Sequence, residues 1–92
     1  MTVADTIRAK LIAALAPDAL EIEDESDRHA GHSGARPEGE THFRVRIVSA
    51  QFEAVSRVER QRRVYAILAE ELNGPVHALA LSAQTPEEAL RR

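Results

Sequence analysis

Histidine is the residue type in this sequence with the most scope for chemistry, because the chain has four histidines and no cysteine. His29 and His32 lie in a glycine-rich stretch between two strand-like segments. His42 opens the second of those segments, and His77 follows a helix-ending motif at residues 73–75. Imidazole is a ligand for borderline metals near neutral pH. A chain that offers a few imidazoles and no thiolate binds such a metal weakly alone, so we expect a partner to supply thiolates.

Each histidine also has a structural interpretation. His77 can be a half-buried ring that is hydrogen-bonded to the backbone. His42 alternates with arginines on the predicted outer face of its strand, and we interpret it as a structural or surface residue. His29 and His32 are three residues apart, so they can bind one ion together, serve as alternates for one coordination position, or be solvated loop residues without a function.

A group of arginines in the first half of the longest predicted helix is the second candidate site. Bases at a helix N-terminus oppose the helix dipole, and this cost indicates a use. Guanidinium groups beside the free N–H groups of a helix N-terminus predict a binding site for an anion or phosphate. The alternative is ion pairing with Glu53, Glu59 and the acidic first hairpin. The residues in question are Arg57, Arg60, Arg62 and Arg63.

Length and charge restrict the class of protein. Ninety-two residues predict a single domain, residues 1–92. A net charge of −3 argues against a protein that binds nucleic acid over its whole surface. Arg8 and Lys10 interrupt the N-terminal apolar residues, so we predict no signal peptide. No run approaches the roughly 18 apolar residues of a membrane span, so we also predict no such span and a cytoplasmic protein. The chain lacks a cysteine nucleophile, a Gly-x-Ser-x-Gly motif and a phosphate-binding glycine loop, and we therefore predict that it is not an enzyme.

The first half of the chain predicts a helix followed by two strands. Apolar residues from Val3 to Leu15 follow a helical period, with Thr2 as N-cap and Pro17 as the stop. A strand with one wet face follows around Leu20. Residues 24–40 predict a long loop, and strict alternation from residue 43 to residue 47 predicts a second strand, antiparallel to the first.

The second half predicts a short turn anchored by Phe52, a long helix, a third strand and a final helix. Ser56 opens the long helix with a capping box, and the helix runs to about residue 72. Residues 76–83 predict a strand that is apolar on both faces and therefore covered, and Thr85 caps the last helix. The predicted inner face of the long helix consists of Val58, Tyr65, Leu68, Ala69 and Leu72.

These elements predict an α+β fold of order α-β-β-α-β-α. A strand–helix–strand connection favours a right-handed parallel crossover, so the three-stranded sheet is predicted to be mixed. The helices then pack on one face of the sheet.

Several motifs together resemble the BolA family over almost the entire chain. They are Asp24-Glu25-Ser26 with His29, the segment from Glu40 to Val45, Val48-Ser49 with Phe52-Glu53, the segment from Val64 to Leu72, and the segment from Pro75 to Leu79. The resemblance implies a fold like a class II KH domain. BolA-like proteins lack the Gly-x-x-Gly loop of RNA-binding KH domains, and the one Gly-x-x-Gly stretch of this chain, Gly31–Gly34, falls in the predicted loop between the first two strands.

The resemblance also implies a function and a set of ligands. Family members pair with monothiol glutaredoxins to hold a bridging [2Fe–2S] cluster, for which the glutaredoxin cysteine and glutathione supply two thiolates. The family histidine then falls on His77 and the variable-loop ligand on His29, with His32 as its alternate. Imidazole ligands raise the potential of such a cluster. Alone, the chain is expected to be a monomer or a weak homodimer.

Bacterial relatives offer a second function, because they resemble stress-linked transcriptional regulators of cell shape that contact DNA near the long helix. The four arginines named above fit that role locally. Where many relatives have a histidine in an Arg-His-Arg segment, this chain has Gln61 between Arg60 and Arg62. The resemblance therefore implies an iron–sulfur adaptor first and a DNA-binding regulator as the alternative.

Overall fold

A computed structural model describes residues 2–25 and 41–91 of the chain. The first helix, α1, spans Val3–Leu15 and begins with a capping box in which the Thr2 hydroxyl accepts a hydrogen bond from the Asp5 backbone N–H. Its C-cap, Ala16, has a left-handed conformation with φ 42°, and Pro17 follows. The predicted helix and both of its ends are confirmed.

An antiparallel pair of strands follows the first helix. Strand β1 spans Ala19–Asp24 and strand β2 spans His42–Val48, in a register that pairs Ala19 with Val48. Side chains at alternate positions of β2 are buried, as the alternation predicted, because one face of the sheet carries the core. The buried residues of β2 on that face are Phe43, Val45 and Ile47.

Strand β3 spans Ala78–Gln84 and runs parallel to β2, so the sheet has the order β1-β2-β3 and is mixed, as predicted. The prediction that both faces of β3 are covered is wrong. The helices pack on one face only, and the small residues of β3 on the other face, Ala78, Ala80 and Ser82, are exposed. The strand also begins two residues later than predicted.

The long predicted helix is divided in two. A 3₁₀ turn at Ala50–Phe52, with Phe52 fully buried, leads to helix α2 at Arg57–Ile67 and then to helix α3 at Ala69–Asn73, which are separated at Leu68. The Ser56 hydroxyl accepts from the Glu59 backbone N–H and caps α2, which is the N-cap half of the predicted capping box.

The inner face of α2 differs from the predicted one. Val58 was expected inside and is 61% exposed, whereas Arg60 is only 6% exposed. Val64 and Leu68 fill the core positions of this segment. Arg60 packs against Phe52 of the 3₁₀ turn and against Glu88 of the last helix, so Arg60 takes the inner position and Val58 faces solvent.

The last helix, α4, spans Pro86–Leu90 and starts with a capping box between Thr85 and Glu88. One core joins α1, α2 and α3 to the inner face of the sheet, and α4 contributes no buried residue to it. In the part of the chain that the structure describes, no helix is long and apolar enough to cross a membrane. The buried apolar residues of this core are Ile7, Leu11, Leu15, Phe43, Val45, Ile47, Phe52, Val64, Leu68 and Val76.

Candidate functional site

The site at His77 is built around the backbone of Thr41, which is fully buried. The Thr41 carbonyl oxygen accepts hydrogen bonds from the backbone N–H groups of His77, at 2.7 Å, and Ala78, at 3.2 Å. These bonds tie the start of β3 to the start of β2. The backbone of His77 is therefore held in place, while its side chain lies at the end of the sheet and is exposed.

His42 and His77 lie side by side at this end of the sheet. Their ring centroids are 6.1 Å apart and the ring planes meet at 69°, an edge-to-face arrangement. The Nδ1 atom of His42 is 2.8 Å from the Thr41 hydroxyl oxygen, which fixes the orientation of the half-buried ring. The term "histidine rim" is used below for His42, His77 and Thr41.

Sequence reasoning placed His77 at the end of the sheet and treated His42 as a separate structural or surface residue. The structure brings the two imidazoles together because β2 and β3 are parallel and His42 pairs with Ala78, the residue after His77. Only this register could have revealed the contact, and no local pattern in the sequence specifies it.

The predicted loop ligands, His29 and His32, lie outside the described residues. The two described ends of their segment do meet the histidine rim. The Glu25 backbone N–H donates to the His42 carbonyl oxygen at 2.7 Å, and Thr41 is part of the rim itself. The two described residues that flank this segment, Glu25 and Thr41, therefore both lie beside His42.

The described residues do not form a complete metal site. No group of three His, Cys, Asp or Glu side chains converges between residues 2 and 25 or between 41 and 91, and the chain has no cysteine to supply a thiolate. The histidine rim can provide imidazole nitrogens to a metal that is held mainly by other ligands.

Three of the predicted anion contacts, Arg57, Arg62 and Arg63, are exposed on α2. Arg62 lies 3.6 Å from Glu59, an exposed pair one turn away on the same helix. Such exposed pairs contribute little to stability and leave the guanidinium group accessible. These three arginines remain available for an anion, and their role stays a prediction.

Arg60 is a correction to that set. Its Nε donates to the Val55 carbonyl oxygen at 2.8 Å and its Nη1 to the Ala83 carbonyl oxygen at 3.1 Å. Both terminal nitrogens also bond the Glu88 carboxylate, and the guanidinium lies 5.8 Å from the centre of the Phe52 ring. Arg60 is 6% exposed and four of its five N–H donors are bonded within the fold, so it is not placed to bind an external anion, contrary to the prediction.

Glu88 is the acidic partner that sequence reasoning did not find. The hydrogen bond from Arg60, and then the one from the Thr85 backbone N–H, lower the pKa of Glu88 from 4.5 to about 2. The same carboxylate thus caps α4 and neutralises Arg60. This acid–base pair is structural and joins α4 to α2.

Comparisons with known proteins agree with this fold. The model of the BolA-like protein family matches residues 11–88. BolA-like protein 1 of Homo sapiens is 54% identical over 82 residues, which cover 89% of this chain and 57% of that protein. This chain thus spans little more than half of that relative's length.

Two further relatives extend the comparison to bacteria and to a solved structure. The DNA-binding transcriptional regulator BolA of Haemophilus influenzae is 42% identical over 88 residues, covering 96% of this chain and 82% of that protein. The solved structure of BolA1 from Arabidopsis thaliana superposes with a TM-score of 0.86 at 46% identity and covers 96% of each chain.

Proposed function

This chain belongs to the BolA-like protein family, and we propose that it is an adaptor that shares a [2Fe–2S] cluster with a monothiol glutaredoxin and glutathione. The observation that carries the proposal is the position of His77. Its backbone is fixed by the Thr41 carbonyl, yet its ring is exposed beside a second imidazole at one end of the sheet. Because the backbone of this ligand is already fixed, less conformational entropy is lost when its ring binds in a complex with a partner.

The absence of cysteine makes the cluster a shared one in this proposal. A [2Fe–2S] centre needs four ligands, and thiolates are the usual ones. The glutaredoxin cysteine and the glutathione thiol supply two, and His77 with one loop histidine supplies the others. When bound, the cluster provides an electron-transfer or transferable iron centre, and imidazole ligation raises its potential.

Chain geometry supports a loop ligand near His77. His29 follows Glu25 by four residues, and four residues span at most about 14 Å. Glu25 is bonded to the His42 backbone, so His29 is tethered to the histidine rim. His32 has a longer tether and remains the alternate ligand.

His42 has a supporting role in this proposal. The Thr41 hydroxyl holds its ring, and the ring packs against His77. His42 therefore restricts the rotamers of His77 and orients its imidazole towards the partner. A ring that is already oriented loses less entropy when it binds.

The test of the adaptor proposal mixes the purified chain with a monothiol glutaredoxin, glutathione, ferrous iron and sulfide under anaerobic conditions. We expect a one-to-one heterodimer with one [2Fe–2S] cluster in native mass spectrometry and a visible spectrum that differs from that of the glutaredoxin homodimer. Stable cluster assembly on the isolated chain, or a spectrum identical to that of glutaredoxin alone, contradicts the proposal.

DNA binding is the second candidate function, and a specific observation favours it. Arg57, Arg62 and Arg63 are exposed together on α2, and the Haemophilus influenzae relative is named a DNA-binding transcriptional regulator. Phosphate contacts by exposed arginines weaken steeply with salt. Titration of a duplex at several salt concentrations, with Arg-to-Gln variants of these three residues, tests this candidate.

A further inference from the structure

The free edge of β3 is partly closed by side chains of α2. Alternate residues of β3 direct their backbone groups away from β2, and Leu79, Leu81 and Ala83 are the residues that do so. The Tyr65 hydroxyl donates to the Leu79 carbonyl oxygen at 3.1 Å, and Arg60 Nη1 donates to the Ala83 carbonyl oxygen at 3.1 Å. The carbonyls on either side of Leu81 are therefore capped.

Leu81 itself is left open between the two caps. No group in the described part of the chain bonds its outward N–H or C=O. A cavity of about 210 Å³ lies at this position. The cavity is lined by the guanidinium of Arg57, the amide of Gln61 and the backbone donor and acceptor of Leu81. Its full lining is Arg57, Gln61, Leu81, Ser82 and Ala83.

A second, more apolar groove adjoins this cavity on the outer side of α2, and Gln61 lines both. Val58, which is 61% exposed, is the large apolar side chain in this groove. Tyr65 and Ala66 continue its apolar wall, and Arg62 stands at its side. The term "β3-edge groove" is used below for the cavity at Leu81 together with the groove at Val58.

The charged side chains that line the β3-edge groove are positive, although Glu59 lies 3.6 Å from Arg62 just outside it. Arg57 and Arg62 line it, and no acidic residue does so in the described residues. The chain as a whole has a net charge of −3, so this positive region is local. This positive region attracts an acidic group, whereas the net charge of the whole molecule repels it.

We propose that the β3-edge groove binds a short, extended, acidic peptide segment of a partner protein. One residue of the peptide bonds the N–H and C=O of Leu81, as in other cases where a peptide adds to a sheet edge. An acidic side chain of the peptide lies beside Arg57 and an aliphatic side chain packs on Val58. The caps at Leu79 and Ala83 limit the pairing to one residue, which makes the interaction weak and position-specific.

A peptide fits this groove better than a nucleic acid does. Leu81 offers one donor and one acceptor at the spacing of a peptide unit, whereas a phosphate backbone presents acceptors only. The groove also has an apolar wall at Val58, which suits an aliphatic side chain. The histidine rim is not part of the β3-edge groove, so this inference stands or fails separately from the cluster proposal.

The test uses the whole protein, labelled with ¹⁵N, and a capped hexapeptide of alternating Glu and Val. We expect the amide signals of Leu81 and its neighbours Ser82 and Ala83 to shift on titration. Arg57→Gln should raise the peptide Kd about fivefold, because it removes a charge-assisted contact. Arg63→Gln is the matched control: it removes the same charge from the same helix, outside the groove, and should leave the Kd unchanged.

A second peptide series separates strand pairing from simple charge attraction. N-methylation of a central residue removes a backbone donor and should abolish the shift at Leu81, whereas a Lys–Val hexapeptide should not bind. Equal weakening by Arg57→Gln and Arg63→Gln, or binding that survives N-methylation at every position, overturns the proposal. Shifts at Leu81 caused by duplex DNA and by no hexapeptide would assign the groove to nucleic acid and overturn it as well.

Discussion

Arg60 and Glu88 form a two-point ion pair, with Nη1–Oε1 and Nη2–Oε2 distances of 2.6 and 3.2 Å, between two helices that are not neighbours in the sequence. The pair is well shielded on the arginine side, since the Arg60 side chain is 7% exposed and the Glu88 side chain 28% exposed. It links α4 directly to α2. Its removal is the first prediction.

Replacement of Arg60 by Leu should destabilise the domain. The carbonyl oxygens of Val55 and Ala83 lose their donor, and an unsatisfied buried group costs about 1–3 kcal/mol. We expect the free energy of unfolding, measured by urea denaturation, to fall by about 2 kcal/mol. Arg62→Leu, a matched change at an exposed position, should alter it by less than about 0.5 kcal/mol. Equal effects of the two variants would contradict the structural role of Arg60.

Stability should depend on pH through Glu88. Its pKa is lowered from 4.5 to about 2 in the folded protein, so the unfolded chain binds more protons between these values. The stabilisation by Glu88 is therefore present above pH 4.5 and is lost as the pH falls towards 2. Glu88→Gln should flatten the decrease in Tm over this acid range. Glu87→Gln is the control, since Glu87 is an exposed neighbour on the same helix, and an identical pH profile for the two variants would refute the assignment.

The cluster proposal predicts different effects for the histidines. His77→Ala should leave the fold intact and shift the mixture with glutaredoxin towards the glutaredoxin-only species. Nitrogen hyperfine couplings of the reduced cluster should decrease, because one imidazole is lost. The double variant His29→Ala/His32→Ala should make the cluster more labile, and an unchanged spectrum and unchanged couplings would exclude the loop as a ligand source.

The positioning role of His42 can be tested through Thr41. Thr41→Val removes the hydroxyl that lies 2.8 Å from His42 Nδ1 and keeps the backbone carbonyl that holds His77. We expect the ¹H–¹⁵N signals of both imidazoles to shift and the cluster with glutaredoxin to be released faster, with His77 still bound to iron. Thr6→Val on α1 serves as the control. Thr85→Val is not used for this purpose, because Thr85 caps α4. Signals and release rates equal to those of the wild type would show that His42 does not act on His77.

The DNA candidate predicts a salt effect. If Arg57, Arg62 and Arg63 contact phosphates, the log–log slope of duplex affinity against salt should be about −0.9 per contact, and each Arg-to-Gln change should flatten it by about one. The cluster spectrum with glutaredoxin should not change. A heterodimer Kd that rises in these variants, with duplex binding unaltered, would instead assign the arginines to the protein partner.

The positions of the helices and strands could be predicted from sequence because the signals for them are local. Alternation in β2, the cap at Thr2 and the stop at Pro17 depend on near neighbours, and the structure has all three. The parallel crossover follows from handedness rules once the order of elements is known. The predicted fold class is therefore confirmed, with the long helix divided at Leu68.

The site needed information that local patterns do not carry. Val58 and Arg60 exchanged their expected environments, because a long arginine side chain packs its stem inside once an acid such as Glu88 is in place to pair with it. That acid lies on another helix, so the period of α2 cannot reveal it. The meeting of His42 and His77 depends in the same way on the register between two strands that are far apart in the sequence.

The caps on β3 also bear on aggregation. The sequence of β3, ALALSAQ, contains no charge and no proline, so it lacks the residue types that commonly prevent an exposed strand edge from pairing with another chain. Tyr65 and Arg60 occupy the carbonyls on either side of Leu81, so another copy of the strand cannot pair along the whole edge. The arginine that stabilises the native fold therefore also protects the edge of β3, and its loss by mutation would leave the Ala83 carbonyl open to another strand.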